Sequence, residues 1–200
     1  MIVAGLTGSI GMGKSTVAQM FGDAGAHVWD ADAAVHRLYA AGGEGVPVIR
    51  ALVPDAIEDG AVSRPRLRTA IMEDPALLKK IEAGIHPLVG KDRIGFLQRV
   101  RLGGARLAVL DIPLLLEGGR ADMFDYIIVV SAPAEVQRDR VLARPGMTEE
   151  AFEAILAKQM PDAEKRAYAD YVVDTGSTLE ETRAQVQTIM AQLSGDPHYA

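Results

Sequence analysis

At 200 residues, 48% of them apolar and 24% charged, the chain has the balance of a folded globular protein with one sizeable core and room for an insertion. A formal charge of -6 argues against a broad nucleic-acid surface, and no apolar run approaches the length of a membrane span. Without cysteine there are no disulfides, thiolate metal sites or Cys nucleophiles, and no basic leader precedes the first apolar run. The expectation is a cytoplasmic protein that binds neither nucleic acid nor membrane, with no sequence signal for an oligomeric state.

In chain order, the apolar run 2–6 predicts a strand. It ends in Gly8-Ser9-Ile10-Gly11-Met12-Gly13-Lys14-Ser15, which satisfies G-x-x-x-x-G-K-[ST] and is followed by Thr16. Val17, Met20 and Phe21 then give helical periodicity over 14–23. A second strand over 26–29 leads into Asp30-Ala31-Asp32. Across 33–104, Leu67, Ile71, Leu77, Leu78, Ile81 and Ile85 recur at helical spacing and predict an inserted helical subdomain, with His86-Pro87 as a helix boundary. That insertion either enlarges the core or walls an acceptor site. Strands are expected at 107–112, 126–130 and 171–173, and helices at 135–144 and 149–160. Breaks at Pro145-Gly146 and Pro161 give the last two the pattern of a hinged lid. Residues 195–200 are expected to fray. Five apolar strands separated by helices imply an α/β fold with a five-stranded parallel, doubly wound sheet.

The glycine-rich motif lies where its chemistry needs it, after a strand and at the start of a helix. Its glycines let the backbone wrap a phosphate, so that N–H groups and the helix N-terminus face the anion. Lys14 would reach the β and γ phosphates, and the Ser15 hydroxyl would bind the Mg²⁺ that bridges them. Asp111 ends the third strand as a Walker-B-like acid near the magnesium, or as an ordinary turn residue. Neither N-K-x-D nor D-x-x-G occurs, so ATP-dependent kinase chemistry ranks ahead of a GTPase switch. A kinase needs an acceptor base. Asp32 is either that base, at the carboxyl end of the second strand, or the cap of a helix starting near Ala33. Gln137, Arg140 and Arg144 share one helix face, which either presents cations to the transferring phosphoryl group or is a solvated surface. A different small-molecule kinase and a slow ATP-hydrolysing regulator are the competing functions.

Residues 7–17, Asp30-Ala31-Asp32, His86-Pro87, Asp111-Ile112-Pro113-Leu114-Leu115-Leu116-Glu117 and Ala169-Asp170-Tyr171-Val172-Val173-Asp174 together resemble the dephospho-coenzyme A kinases over nearly the whole chain. The resemblance implies a P-loop core at 1–32, 105–132 and 167–194, a coenzyme A-binding insertion at 33–104 and a lid at 133–166. It implies transfer of phosphate from ATP, with Mg²⁺, to the ribose 3′-hydroxyl of dephospho-coenzyme A, the last step of coenzyme A synthesis. On that basis Asp32 is the acceptor base, with Lys14 and Arg140 as catalytic cations. Gly8 through Thr16 and Arg144 hold the nucleotide. Arg64, His86, Leu115 and Glu117 line the acceptor with Asp32, while Ser15 and Asp111 face the metal. In residue terms alone, His86 serves equally as a structural helix residue and Arg64 as a surface arginine. Thr175 stands where the family often has Asn; it keeps a donor and an acceptor but lacks the amide.

Overall fold

The computed structural model describes residues 1–119 and 121–194, so the expectation for 195–200 lies outside the described residues. In chain order the elements are β1 (Ile2–Thr7), α1 (Lys14–Asp23), β2 (His27–Asp30), α2 (Ala31–Tyr39), α3 (Gly45–Leu52), β3 (Ile57–Glu58), β4 (Ala61–Val62), α4 (Arg64–Glu73) and α5 (Ala76–Leu102). There follow β5 (Leu107–Asp111), β6 (Tyr126–Ser131), α6 (Ala134–Leu142), α7 (Glu149–Leu156), α8 (Asp162–Ala167), β7 (Tyr171–Asp174) and α9 (Leu179–Ser194). Two compact units result: Met1–Trp29 with the chain from Val100 onward, and Asp30–Arg99.

In the first unit the strands form a five-stranded parallel sheet in the order β2-β5-β1-β6-β7. Both faces are covered, which is why β1, β5 and β6 read as continuous apolar runs rather than alternating ones. From β1 the chain crosses to β2 at one edge, whereas from β6 it runs to β7 at the other. The strand order therefore reverses between β1 and β6, where ligands of open α/β sheets bind. Register does the rest: Leu6 pairs with Asp111 and Thr7 with Val129, so the loop after β1 starts beside the carboxylate that ends β5. Leu6, Val17, Phe21, Ile128 and Val130 form the core with Val186 and Leu193 of α9. Each such side chain, fully buried, contributes about 1.5–3 kcal/mol.

The second unit has its own core of Leu38, Val46, Ile49, Leu67, Ile81 and Ile85. Leu78, expected to share that stripe, is 45% exposed. Leu77, Ile81 and Ile85 repeat every four residues, and Leu78 stands about 100° off that line. The helical expectation also missed the β3–β4 hairpin, which is closed by Asp59 and Gly60 at φ 49° and 78°. An Asp-Gly pair with positive φ at both positions is a favoured hairpin turn. Pro87 is not a boundary, because α5 runs through it. The missing N–H strands only the carbonyl of Ala83, an exposed residue that water can serve. The second expected lid helix ends at Leu156, and α8 begins anew after Pro161, whose fixed φ suits a helix start. Among the described residues no helix is long and apolar enough to cross a membrane.

Candidate active site

The loop between β1 and α1 is built on its glycines. Gly11 and Gly13 adopt φ of 79° and 85°, and a Cβ on Gly11 would meet Val141 Cγ2 at 2.5 Å and Gln137 O at 3.0 Å. Only glycine lets the loop turn this tightly beneath α6. Met12 turns inward, where its sulfur accepts the Ala132 N–H at 3.1 Å. Gly13 caps α1 without a side-chain hydrogen bond, and no acidic residue occupies the first turn. The N–H groups of Gly11, Gly13, Lys14 and Ser15 have no acceptor among the described residues. A helix N-terminus left open in this way carries partial positive charge and a ring of donors, which is what a phosphate requires.

Lys14 and Asp111 form an ion pair, with their side chains 14% and 3% exposed. Lys14 was expected at the phosphates and Asp111 near the magnesium or in a turn; the fold brings the two into contact through the Leu6–Asp111 register. Ser15 and Thr16 occupy the exposed first turn of α1.

Residues of α6 and of the segment between α7 and α8 pack over this loop. Gln137 of α6, 6% exposed, donates to Ile10 O at 2.7 Å, while the Ile10 N–H donates to Gln159 Oε1 at 3.0 Å. Arg140, on the same helix face as Gln137, donates from Nη1 to Thr175 Oγ1 at 2.9 Å and from Nη2 to Thr175 O at 2.6 Å. The expected face is thus real for Gln137 and Arg140. The helix expected to run to 144 ends at Leu142, so Arg144 lies beyond it and off that face, exposed, and Arg138 is paired with Glu149 at the surface.

The segment after β5 is anchored at both ends. Thr7 Oγ1 donates to Pro113 O at 3.0 Å, and Glu117 Oε1 accepts the Met160 N–H at 2.9 Å and lies 2.7 Å from the ammonium of Lys165. Leu115 is 1% exposed and packs against β1, whereas Leu114 is 52% exposed. Lys165 is wholly buried and Glu117 18% exposed, and Glu117 Oε2 is buried without a hydrogen bond. Removing one partner of such a pair strands the other. Lys165→Met is therefore expected to cost about 3–5 kcal/mol, measured by urea unfolding, with Lys165→Arg costing much less. Burial alone pushes the Glu117 carboxyl up, but the Lys165 ammonium beside it and the hydrogen bond from the Met160 N–H outweigh it and hold it below the ordinary range. A depressed carboxyl stabilises fully above its unfolded pKa, about 4.3, and that contribution fades as pH falls through the lower folded value.

In the second unit the Asp30-Ala31-Asp32 question resolves in one respect. Asp30 is the N-cap of α2, its Oδ1 accepting the N–H groups of Asp32 at 2.7 Å and Ala33 at 3.0 Å. Asp32 is not the cap. Its carboxylate is exposed and makes no hydrogen bond among the described residues. It lines a hollow of about 450 Å³ with Val35, Tyr39, Arg64, Leu67 and Arg68. Arg64 lies 6.0 Å from the Tyr39 ring centre, within cation–π range, and burial pushes the Tyr39 phenol up against the opposing pull of Arg64. A larger hollow of about 790 Å³ is rimmed by Arg37, Glu44, Lys91 and Asp92, which pair with one another as Arg37–Asp92 and Lys91–Glu44. His86 is exposed and lines neither.

Sequence reasoning missed Gln159 and Lys165 and gave Gln137 and Thr175 no structural part. Gln137 alone had a legible signal, its helical spacing to Arg140. The others act through contacts between distant segments.

The chain matches the sequence model of the dephospho-CoA kinase family over residues 1–181. It is 56% identical over 195 residues to the dephospho-CoA kinase of Mesorhizobium japonicum, covering 98% of each chain. It is 55% identical to that of Ruegeria pomeroyi over 195 residues, covering 97% of each. A crystal structure of TT1252 from Thermus thermophilus superposes with TM-score 0.81 at 36% identity, covering 97% of this chain and 98% of that one. Dephospho-CoA kinase from Campylobacter jejuni, at 19% identity, TM-score 0.69 and 96% coverage of each chain, shares the fold. So does shikimate kinase from Acinetobacter baumannii, at 17% identity and TM-score 0.51, covering 98% of this chain and 95% of that one. With a P-loop kinase core beneath these matches, the chain belongs to the dephospho-CoA kinase family, which phosphorylates dephospho-CoA with ATP in coenzyme A biosynthesis.

Proposed function

We propose that this protein, acting in the cytoplasm, transfers the γ-phosphoryl group of ATP to the ribose 3′-hydroxyl of dephospho-CoA through the residues described above. The observation that carries the assignment of parts is the uncapped start of α1, with Lys14 at its first position in contact with the acid that ends β5. On this reading residues 8–16 wrap the β and γ phosphates with backbone N–H groups and Lys14 neutralises the transferring charge. Asp32 accepts the proton of the attacking hydroxyl, a role its uncommitted carboxylate suits. Arg64 and Arg68 stand one turn apart in the Asp32 hollow, a cationic pair fitting the diphosphate of dephospho-CoA.

Ser15 and Asp111 would hold Mg²⁺. A single carboxylate and a hydroxyl fit an ion that takes few protein ligands and keeps water and phosphate oxygens, and no cluster of three His, Cys, Asp or Glu exists among the described residues. Bound there, the ion would supply charge neutralisation on the phosphate oxygens.

Residues 133–166 act as the lid, with Arg140 and Arg144 as its nucleotide-facing cations. Residues 33–104 form the acceptor subdomain, to which His86 belongs. Leu115 and Glu117 shape the acceptor side from the loop after β5, Leu115 by packing beneath it and Glu117 by anchoring its end.

The lid reading has a direct test. Arg140→Met and Arg144→Met are each expected to depress kcat/KM by at least about tenfold, whereas Arg138→Met, at an exposed side chain that pairs with the half-exposed Glu149, changes it less than about twofold. Equal, small effects at all three positions would return α6 to a solvated face.

A further inference from the structure

Thr175 follows β7 and is 6% exposed, yet all its polar groups are engaged. Its N–H donates to Ser131 O at 2.9 Å, which continues the β6–β7 ladder and fixes its backbone. Its hydroxyl donates to Met12 O, inside the phosphate loop, at 2.7 Å. A hydroxyl has one proton. With that proton directed at Met12, the remaining lone pairs face the guanidinium, and Arg140 Nη1 approaches at 2.9 Å. The Thr175 carbonyl takes Nη2 at 2.6 Å, so one residue holds both ends of the guanidinium fork. The contact is close-packed as well: a Cβ on Gly13 would sit 3.5 Å from Thr175 Cβ and Cγ2.

We propose that Thr175 is a positioning residue for phosphoryl transfer, which locks the Arg140 guanidinium to the phosphate loop through the carbonyl of Met12. The proposal rests on the reading of Arg140 as the lid cation and adds what aims it. A free arginine side chain samples many rotamers. Tied to a residue that is itself fixed to the phosphate loop, the cation keeps its place relative to the bound phosphates, and such preorganisation is what makes a charge effective in a transition state. Met12 lies two residues before Lys14, so Thr175 refers both cations to the same stretch of backbone.

A double-mutant cycle on the full chain tests this, reading kcat and both KM values with ATP and dephospho-CoA. Thr175→Val keeps the shape but loses the hydroxyl, and is expected to lower kcat/KM for ATP by about tenfold. Thr175→Ser keeps the hydroxyl and loses the methyl, and is expected to retain most of the activity. In an Arg140→Met background, Thr175→Val is expected to add less than about twofold, because its effect passes through the arginine. Melting temperatures accompany each variant, and Thr175→Ala replaces Thr175→Val should the latter not fold. A Thr175→Val enzyme with unchanged kinetics overturns the proposal. So do a loss that multiplies with that of Arg140→Met, and activity that simply tracks melting temperature in both the Ser and Val variants. An unchanged Arg140→Met enzyme removes the lid reading and this proposal with it. Lys14→Ala, assayed alongside, reports separately on the phosphate loop.

Discussion

Lys14→Ala is expected to lower turnover by about 10² to 10⁴, at about 1.4 kcal/mol of transition-state stabilisation for each factor of ten. The ammonium stands at the first position of α1, among N–H groups that have no acceptor among the described residues, so its charge adds to a field already arranged for phosphate. Water cannot replace it well, because the side chain is only 14% exposed. The substitution also takes a cation from the buried Asp111 carboxylate. The assay therefore belongs well below the melting temperature, with far-ultraviolet circular dichroism confirming a native fold. Native dichroism with full activity would remove Lys14 from the mechanism and the phosphate-loop reading with it.

Asp32→Asn is expected to have an effect of similar size for a different reason. The amide is nearly isosteric with the carboxylate but cannot take up a proton, and general-base catalysis contributes about 10² to 10⁴. Because Asp30 and not Asp32 caps α2, the change leaves the helix start intact, and melting temperature and ATP affinity should stay close to wild type. Asp30 gives the opposite pattern. Asp30→Asn preserves a good cap and should be mild, while Asp30→Ala should cost about 1 kcal/mol of stability. Normal turnover in Asp32→Asn with dephospho-CoA would rule out the base, leaving Asp32 only a wall of the hollow that it shares with Arg64.

The sheet was legible in the sequence because strands covered on both faces leave unbroken apolar runs, and the first helix because the phosphate-loop motif fixes where α1 begins. Periodicity found Leu67, Ile81 and Ile85 but was too coarse to separate Leu77 from Leu78. It also passed over the Asp59-Gly60 hairpin, whose strands are two residues each and too short to show alternation. In the candidate site, the positions of Lys14 and Ser15 at the start of α1 were readable from a motif, and that of Asp111 from a strand end. The role of Asp30 was not: either aspartate of Asp30-Ala31-Asp32 suits a helix cap, and only the hydrogen bonds that Asp30 Oδ1 accepts from Asp32 and Ala33 show which one caps α2. Glu117 was legible as part of a motif but not as the partner of Lys165, nor Thr175 as the residue that holds Arg140. Those pairings join segments 48 and 35 positions apart, set by how α8 and β7 return to the sheet rather than by local spacing.

Coupled transfer to an acceptor separates a kinase from a nucleotide hydrolase, and mass spectrometry of the products from ATP, Mg²⁺ and dephospho-CoA distinguishes the two. The expected result is one molecule of ADP for each molecule of acceptor that gains a phosphoryl group at the ribose 3′-hydroxyl, with both formed about 10² to 10⁴ times more slowly by Lys14→Ala. Release of ADP and inorganic phosphate with the acceptor unchanged would contradict it.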